Sequence, residues 1–577
     1  MFFIQTKIRV CAYEIGRFAL LGLVMAASGQ NNPTAEVNFI DRAVSAKLLN
    51  KNIFGGADRK DYILETTGNG ALVLDLDGDG DNDILLVNGT RIGVSDPSFL
   101  HFYKNDGLGN FTSIAPDSSG LTTSGWGQGV CAGDYDNDGR SDLLITYYGH
   151  NVLYHNLGGG KFADVTAAAH LPVTGTRWGA GCTFLDFDRD GYLDLFVSNY
   201  VDLDLAKTPK AGQDPSCNWK GLSVMCGPTG LPKANNVLYH NNGDGTFTDV
   251  SARAGILKPG GRYGLTAVSA DFNNDGWPDI YVACDMTPSL LYENHHDGTF
   301  IERGQEAGVA FNADGRLQAG MGVAVADYDA NGFLDIAKTN FSGDLPSLFN
   351  NEDGKFFTDV SLAAGVGARK LLGWGALFID VDEDGWPDLM LNNGHVYPEV
   401  ERAEVGDKYR QLTLLYRNLG NGRFASLEGK AGEGLDVLRP ARGMAAGDLD
   451  GDGHPEIVIV NMNEAPSLLK NIGTHGNVLL VKLTGTKSNR SAIGARVTVE
   501  TGSHKQIQEV MSGSGFFSQN DFTLHFGLGT APKIDRLTVR WPAGAEQEFK
   551  DLAPNQTLVI REGALQPQTT PLRKTGG

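Results

Sequence analysis

The sequence predicts an all-β protein: a seven-bladed β-propeller followed by a small β-sandwich. Three observations lead there. A nine-residue acidic motif occurs seven times, a Gly/Asn-rich hairpin motif recurs between its copies, and both stop near residue 473, where a denser run of short alternating strands begins.

The first copy of the acidic motif is DLDGDGDND, which places oxygen-bearing side chains at positions 1, 3, 5 and 9: Asp75, Asp77, Asp79 and Asp83. The same positions hold Asp134, Asp136, Asp138 and Asp142 in the second copy, and Asp186, Asp188, Asp190 and Asp194 in the third. They hold Asp271, Asn273, Asp275 and Asp279 in the fourth, and Asp327, Asp329, Asn331 and Asp335 in the fifth. Asp380, Asp382, Asp384 and Asp388 follow in the sixth, and Asp448, Asp450, Asp452 and Glu456 in the seventh. All but two of these 28 positions are carboxylates, and Gly follows position 5 every time. Hard cations such as Ca²⁺ take six to eight oxygens at about 2.3–2.6 Å, and only a sharply turning chain converges alternate side chains on one point. An EF-hand would need flanking helices and a Glu at position 12. Here the flanks are short apolar runs such as ALVL and ILLV, so each motif reads as a β-hairpin tip holding Ca²⁺, about seven ions in all. A single copy could be a metal-free Asx-rich turn; seven copies with this carboxylate content favour the cation. The two loops with Asn273 and Asn331 are expected to be the weaker sites.

The loops start 59, 52, 85, 56, 53 and 68 residues apart. Between them recur LYHNLGGGKF, LYHNNGDGTF, LYENHHDGTF, LFNNEDGKFF and LYRNLGNGRF, with the variant FYKNDGLGNF, each a strand, a Gly/Asn turn and a strand. One repeat is therefore four antiparallel strands, and seven such units over residues 36–473 make a propeller. Glycines five and seven residues before the first ligand, such as Gly68/Gly70 and Gly127/Gly129, mark strands packed closely at the axis. The seventh repeat lacks a fourth strand, and Val37 to Val44 is expected to supply it and close the ring. Residues 474–563, with NVLLVKL, ARVTVET, KQIQEVM, TLHFGLG, DRLTVRW and TLVIRE, read as a six-stranded sandwich lying against the last blade. The tail 564–577 reads as disordered.

The N-terminus, with Lys7, Arg9 and Arg17 before FALLGLVMAAS, reads as a signal peptide over residues 1–29, which implies a secreted, extracellular or periplasmic protein with no membrane span afterwards. A net charge of -21 argues against nucleic acid and anionic membranes; seven divalent ions would bring it to about -7. Cys217 and Cys226 share a polar loop and are expected to form a disulfide, whereas Cys131, Cys182 and Cys284 lie in apolar strands and read as buried thiols.

The cation loops with their NxGxGxF turns resemble FG-GAP/VCBS repeats, and TGTKSNRSAIGARVTVETG with SGSGFFSQN, HFGLG and VRWPAG resembles the ASPIC/UnbV domain. The combination is similar to the cartilage acidic protein family and its bacterial relatives. That resemblance implies a secreted Ca²⁺-binding propeller of adhesive or matrix-associated type with no well-defined chemistry. An extracellular protein or glycan is the expected partner, and the chain is expected to be a monomer. No nucleophile elbow, P-loop or zincin motif is present, which favours a non-catalytic module. The alternative is a Ca²⁺-dependent polysaccharide-active lyase or hydrolase, for which His395, Tyr397 and Glu399 form the most enzyme-like stretch. The long insertions, Gly89 to His101, Val201 to Asn235 and Gly394 to Gln411, all follow second strands, so they crowd the face opposite the cation loops. Tyr200, Trp219, His395 and Tyr397 are the candidate ligand contacts on that face. An Asn column thirteen residues after the first ligand (Asn88, Asn199, Asn340, Asn393, Asn461) either caps turns there or meets the ligand.

Overall fold

The computed structural model describes residues 36–94, 98–367 and 371–573, so the expected signal peptide lies outside the described residues. Each of the seven repeats forms a four-stranded antiparallel unit, as in the fourth: Gly264–Ala270, Asp279–Cys284, Leu290–Asn294 and Phe300–Glu302. The first strands touch one another in chain order, and Ala71–Leu74 of repeat one also touches Ala441–Gly447 of repeat seven, which closes a propeller-like ring. Alternation builds the core between units: Leu72 and Leu85 of repeat one pack with Leu143, Ile145 and Tyr154 of repeat two. The seventh unit is completed from the N-terminal side, where Phe39–Asp41 pairs antiparallel with Leu469–Asn471. Phe39 is buried in the core between repeats six and seven, as the missing fourth strand requires.

The C-terminal region has eight strands where the sequence suggested six. One sheet runs Leu524–Gly529, Asn477–Thr484, Gln556–Arg561 and Gln568–Pro571; the other runs His504–Glu509, Arg496–Thr501, Ile534–Arg540 and Glu546–Leu552. Glu546–Leu552 escapes a reading by hydropathy because it is an edge strand with Phe549 as its buried anchor. The expectation of a disordered tail from Ala564 is corrected in part: Gln568–Pro571 pairs with Gln556–Val559, and Arg573 donates its backbone N–H to the Gly451 carbonyl (2.9 Å). Its side chains are exposed, so ladder hydrogen bonds rather than burial hold that strand.

The position of the sandwich is a second correction. It does not lie against the last blade alone but sits over the acidic-loop face, touching loops of several repeats. Arg490 N–H donates to Asn137 (2.8 Å), Arg189 to the Pro542 carbonyl (2.6 Å), Arg496 to the Asp271 carbonyl (2.6 Å) and Gly529 N–H to the Glu383 carbonyl (2.7 Å). The cause is the stretch Ser512–Asn520, which leaves the sandwich and enters the ring. Val130 N–H donates to the Phe517 carbonyl (3.0 Å), Val323 N–H to Gly515 (2.7 Å), and Gln519 N–H to Ala71 (2.9 Å). Ser518 Oγ accepts from Ala71 and Met444, and Thr183 Oγ1 donates to the Ser512 carbonyl (2.6 Å). One segment thereby satisfies backbone groups of repeats one, two, three, five and seven at the axis, and Phe516 and Phe517 are fully buried there.

The axial glycines follow from this crowding. A Cβ on Gly70 would stand 1.6 Å from the Phe517 carbonyl oxygen, and one on Gly322 would stand 1.8 Å from that of Trp374. Cys131 and Cys182 lie in two adjacent first strands, and the same proximity, Cα to Cα 5.8 Å, joins them in a disulfide, correcting the expectation of free thiols; Cys284 is buried and free.

Gly70→Ala must displace either the axial plug formed by Ser512–Asn520 or its own strand. It is expected to cost about 1–3 kcal/mol or more, whereas Gly227→Ala, with nothing within 4 Å of its Cβ, should be near neutral. Equal denaturation midpoints for the two variants would contradict the axial packing.

Candidate functional site

Each acidic loop is pre-shaped by its own backbone. Position 4 takes a left-handed φ in all seven copies, from Glu383 at 57° to Gly78 at 83°, and the position-6 glycines stand at 91° to 96°, where a side chain would be strained. Those glycines donate N–H to the position-1 carboxylate, as Gly139 does to Asp134 (2.7 Å) and Gly453 to Asp448 (3.0 Å). The position-5 side chain accepts from the position-7 N–H, as Asp190 does from Tyr192 (2.8 Å). The position-9 carboxylate accepts from position 2 and, in the first six repeats, from an Asn N–H at the end of the third strand: Asp83 from Leu76 (3.1 Å) and Asn105 (2.8 Å), Asp388 from Val381 (3.1 Å) and Asn418 (2.7 Å).

That Asn also ties the units together. Its side-chain amide donates to the position-2 carbonyl of the preceding repeat's loop in all seven cases. The bonds run from Asn156 to Leu76, Asn241 to Tyr135, Asn294 to Phe187, Asn351 to Phe272, Asn418 to Tyr328 and Asn471 to Val381; Asn105 to Leu449 (2.7 Å) joins repeat one to repeat seven. Loop geometry and ring geometry are thus one network.

The remaining oxygens converge. Carboxylate oxygens of Asp75, Asp77 and Asp83 lie within 4.8 Å of one another. Buried Asp186 Oδ1 and Asp188 Oδ1 have no hydrogen-bond partner. Burial pushes the position-9 carboxyls up, to about 7 for Asp83 and Asp194 and about 9 for Asp142, with like charge adding to the effect at each loop. All-oxygen donors, three or four carboxylates, and unpartnered buried oxygens fit a hard divalent cation.

The opposite mouth of the ring opens into a cavity of about 870 Å³. Tyr200 lines it and donates to Asp285 Oδ2 (2.5 Å), which lies above the ordinary carboxylate range, at about 6, because burial outweighs the Tyr200 hydrogen bond. Tyr397, Phe341 and Trp374 supply aromatic wall, and Trp374 packs edge-on against Phe516 at 4.9 Å, joining the cavity to the axial plug. The insertion Val201 to Asn235 forms a strap carrying the expected Cys217–Cys226 disulfide. It reaches across to the insertion of repeat six: Trp219 Nε1 donates to Asp407 (2.6 Å), and Lys220 Nζ lies 2.9 Å from the same carboxylate. Met225 and Gly227–Thr229 of the strap contribute to the cavity wall.

Of the four aromatic candidates, Trp219, His395 and Tyr397 meet in one ring cluster, with centroids 5.3–6.1 Å apart, while only Tyr200 and Tyr397 line the cavity. His395 is fully buried, and burial pushes it down to about 4, so it is a neutral packing group behind the wall. Both Glu399 carboxylate oxygens lack hydrogen-bond partners, so His395, Tyr397 and Glu399 form no hydrogen-bonded acid–base group. Asp285 and Phe341 were not legible as site residues because they directly follow second strands at connections without insertions, and Trp374 because it reads as an ordinary residue of a first strand. The Asn column takes the capping role. Asn88, Asn199, Asn340, Asn393 and Asn461 donate to the carbonyls of Phe99, Asn235, Leu345, Leu412 and Ala465, each closing a connection between second and third strands.

Comparison with known proteins adds to this geometry. The FG-GAP-like repeat pattern matches residues 75–145, 134–197, 229–282 and 271–337, and the ASPIC and UnbV pattern matches residues 485–567. Cartilage acidic protein 1 of Homo sapiens is 24% identical over 509 residues, covering 82% of this chain and 69% of its own. The Xenopus tropicalis protein of the same name is 23% identical over 505 residues, covering 82% of this chain and 70% of its own. A solved Agrocybe aegerita lectin structure, described as recognising non-reducing terminal N-acetylglucosamine, aligns with 68% of this chain and 85% of its own at 17% identity, with a TM-score of 0.35. The chain is therefore an FG-GAP-like repeat protein with a C-terminal ASPIC and UnbV domain, homologous to cartilage acidic protein 1 over 82% of its length.

Proposed function

We propose that this chain is a secreted, monomeric recognition module: a seven-bladed propeller over residues 36–473, stabilised by Ca²⁺ in its acidic loops, with a sandwich over 474–563, binding an extracellular glycan or extended protein segment at the axial cavity. The observation that carries the reading is the cavity itself, in which Tyr200, Tyr397, Phe341 and Trp374 offer aromatic faces beside the Asp285 acceptor on a rigid ring. Two disulfides and kinship with a cartilage protein support an extracellular setting, and no helix among the described residues is long and apolar enough to cross a membrane. Burial of His395 weighs against the alternative of a polysaccharide-active enzyme using that residue. The acidic loops would hold Ca²⁺ through positions 1, 3, 5 and 9, and the ion would neutralise charge that the fold forces together.

The calcium part predicts a pH signature. Without metal, the position-9 carboxyls have raised folded-state values, so their contribution is complete below about 3.8 and is lost as pH rises through about 7 to 9. In EDTA, stability between pH 5 and pH 9 is expected to fall with pH. Saturating Ca²⁺ binds the ionised loops and should flatten or reverse that slope in a calorimetric melt. Identical slopes with and without Ca²⁺ would contradict the assignment.

The recognition part predicts where binding is lost. For the glycan or extracellular protein returned by array screening with and without EDTA, Asp285→Asn and a shortened strap are expected to weaken binding at least about tenfold, roughly 1.4 kcal/mol, and to leave Ca²⁺ affinity unchanged. Loss of binding on changing exposed acidic-loop residues outside the ligand positions, such as Arg140, with no effect from these two variants, would place the ligand on the other face.

A further inference from the structure

One column of the repeat lies over the acidic loops and belongs to neither the ligand set nor the core: the residue just before the third-strand Asn. Where a loop carries four carboxylates this residue is basic or a histidine. Lys104, His155, His240, Arg417 and Lys470 stand there in repeats one, two, three, six and seven. The two loops with only three carboxylates have Glu293 and Asn350 instead. Glu293 turns aside to pair with Arg303 (2.9 Å), and Asn350 donates to Asp329 (2.9 Å). The fourth carboxylate and a Lys, Arg or His therefore occur together, the pattern that charge compensation favours.

The cations do not reach equally far. Lys104 contacts Asp77 and lies 3.1 Å from Asp79, and its side chain is 42% exposed, so it can swing into solvent. Arg417 contacts Asp382 but lies 3.7 Å from Asp384. Lys470 goes further. Its ammonium stands 2.5 Å from Asp450, 2.8 Å from Asp452 and 2.8 Å from Glu456, engaging three of the four ligand positions of its loop with a side chain only 13% exposed. Three donors on three carboxylates are all that an ammonium has to give. Arg42 adds a second cation 3.6 Å from Asp450.

We infer that Lys470 occupies the cation seat of the loop from Asp448, closing it to Ca²⁺, and that the column as a whole sets how readily each loop accepts a divalent ion. A Ca²⁺ entering this loop must place its charge against the same three oxygens at about 2.3–2.6 Å, beside an ammonium tethered on the adjacent strand. This ordering reverses the one given by carboxylate count for the loop from Asp327, which has Asn331 yet faces no Lys or Arg from the column and remains open; in the loop from Asp271 the column again supplies no cation, but Arg540 of the sandwich contacts the Asp271 carboxylate. The inference rests on the calcium reading of the other loops.

The test is Ca²⁺ content per chain, measured by elemental analysis after dialysis of the full-length protein at about 1 mM free Ca²⁺, in the range of weak extracellular sites. Lys470→Gln is expected to carry one more Ca²⁺ than the parent, and Asn350→Lys one fewer. Lys470→Met repeats the first arm with a different apolar stem should the Gln variant fold poorly, and Asn350→Lys is independent of both. If the parent binds Ca²⁺ and neither Lys470 variant gains an ion, the seat assignment is wrong while the calcium reading stands. A parent that binds none overturns both.

Discussion

Like charge held at short range is the constraint around which this molecule is arranged. Backbone N–H groups fix the position-1, position-5 and position-9 side chains of each loop, so the carboxylates cannot relax apart without breaking the turn that presents them. The position-9 carboxylate is buried in every repeat, and in the first six it anchors the loop to the end of the third strand. Through the third-strand Asn, the same loop is bonded to the neighbouring repeat. Compensation of charge at a strand tip is therefore compensation at a junction between units, and ring geometry and the acidic loops are coupled by direct hydrogen bonds.

The second organising element is the axial segment Ser512–Asn520. A ring of first strands leaves inward-facing N–H and C=O groups that no intra-unit ladder satisfies. The sandwich supplies partners by sending Phe516, Phe517 and their flanking peptide groups into the ring, and it is thereby seated over the loop face. One mouth of the ring is then committed to structure. The other, roofed in part by the disulfide-bearing strap and backed by Trp374 against the plug, is left as the cavity.

Repetition made the ring legible. Seven acidic motifs, the intervening hairpin motif and the missing last strand each define a strand boundary, so Phe39–Asp41 could be assigned to repeat seven from pattern alone. The disulfide Cys217–Cys226 and the placement of the insertions opposite the loops followed from local sequence and strand order. What escaped depends on contacts distant in sequence. SGSGFFSQN has no period of 2 or 3.6, and its partners lie up to about 450 residues away, as Ser518 and Ala71 do. Cys131 and Cys182 look like ordinary core residues until two first strands are brought side by side at the axis. Asp285 lies in a short connection and gains meaning only when Tyr200 from another repeat donates to it. His395 looked reactive because residue type says nothing of burial.

The most direct test of the central claim is a crystal structure grown in Ca²⁺, with anomalous differences collected at long wavelength. The account predicts anomalous peaks inside the acidic loops other than the one from Asp448, where Lys470 takes the seat, each about 2.3–2.6 Å from oxygens of positions 1, 3, 5 and 9. An absence of peaks from those other loops, with their carboxylates held only by side-chain cations and solvent, would contradict it.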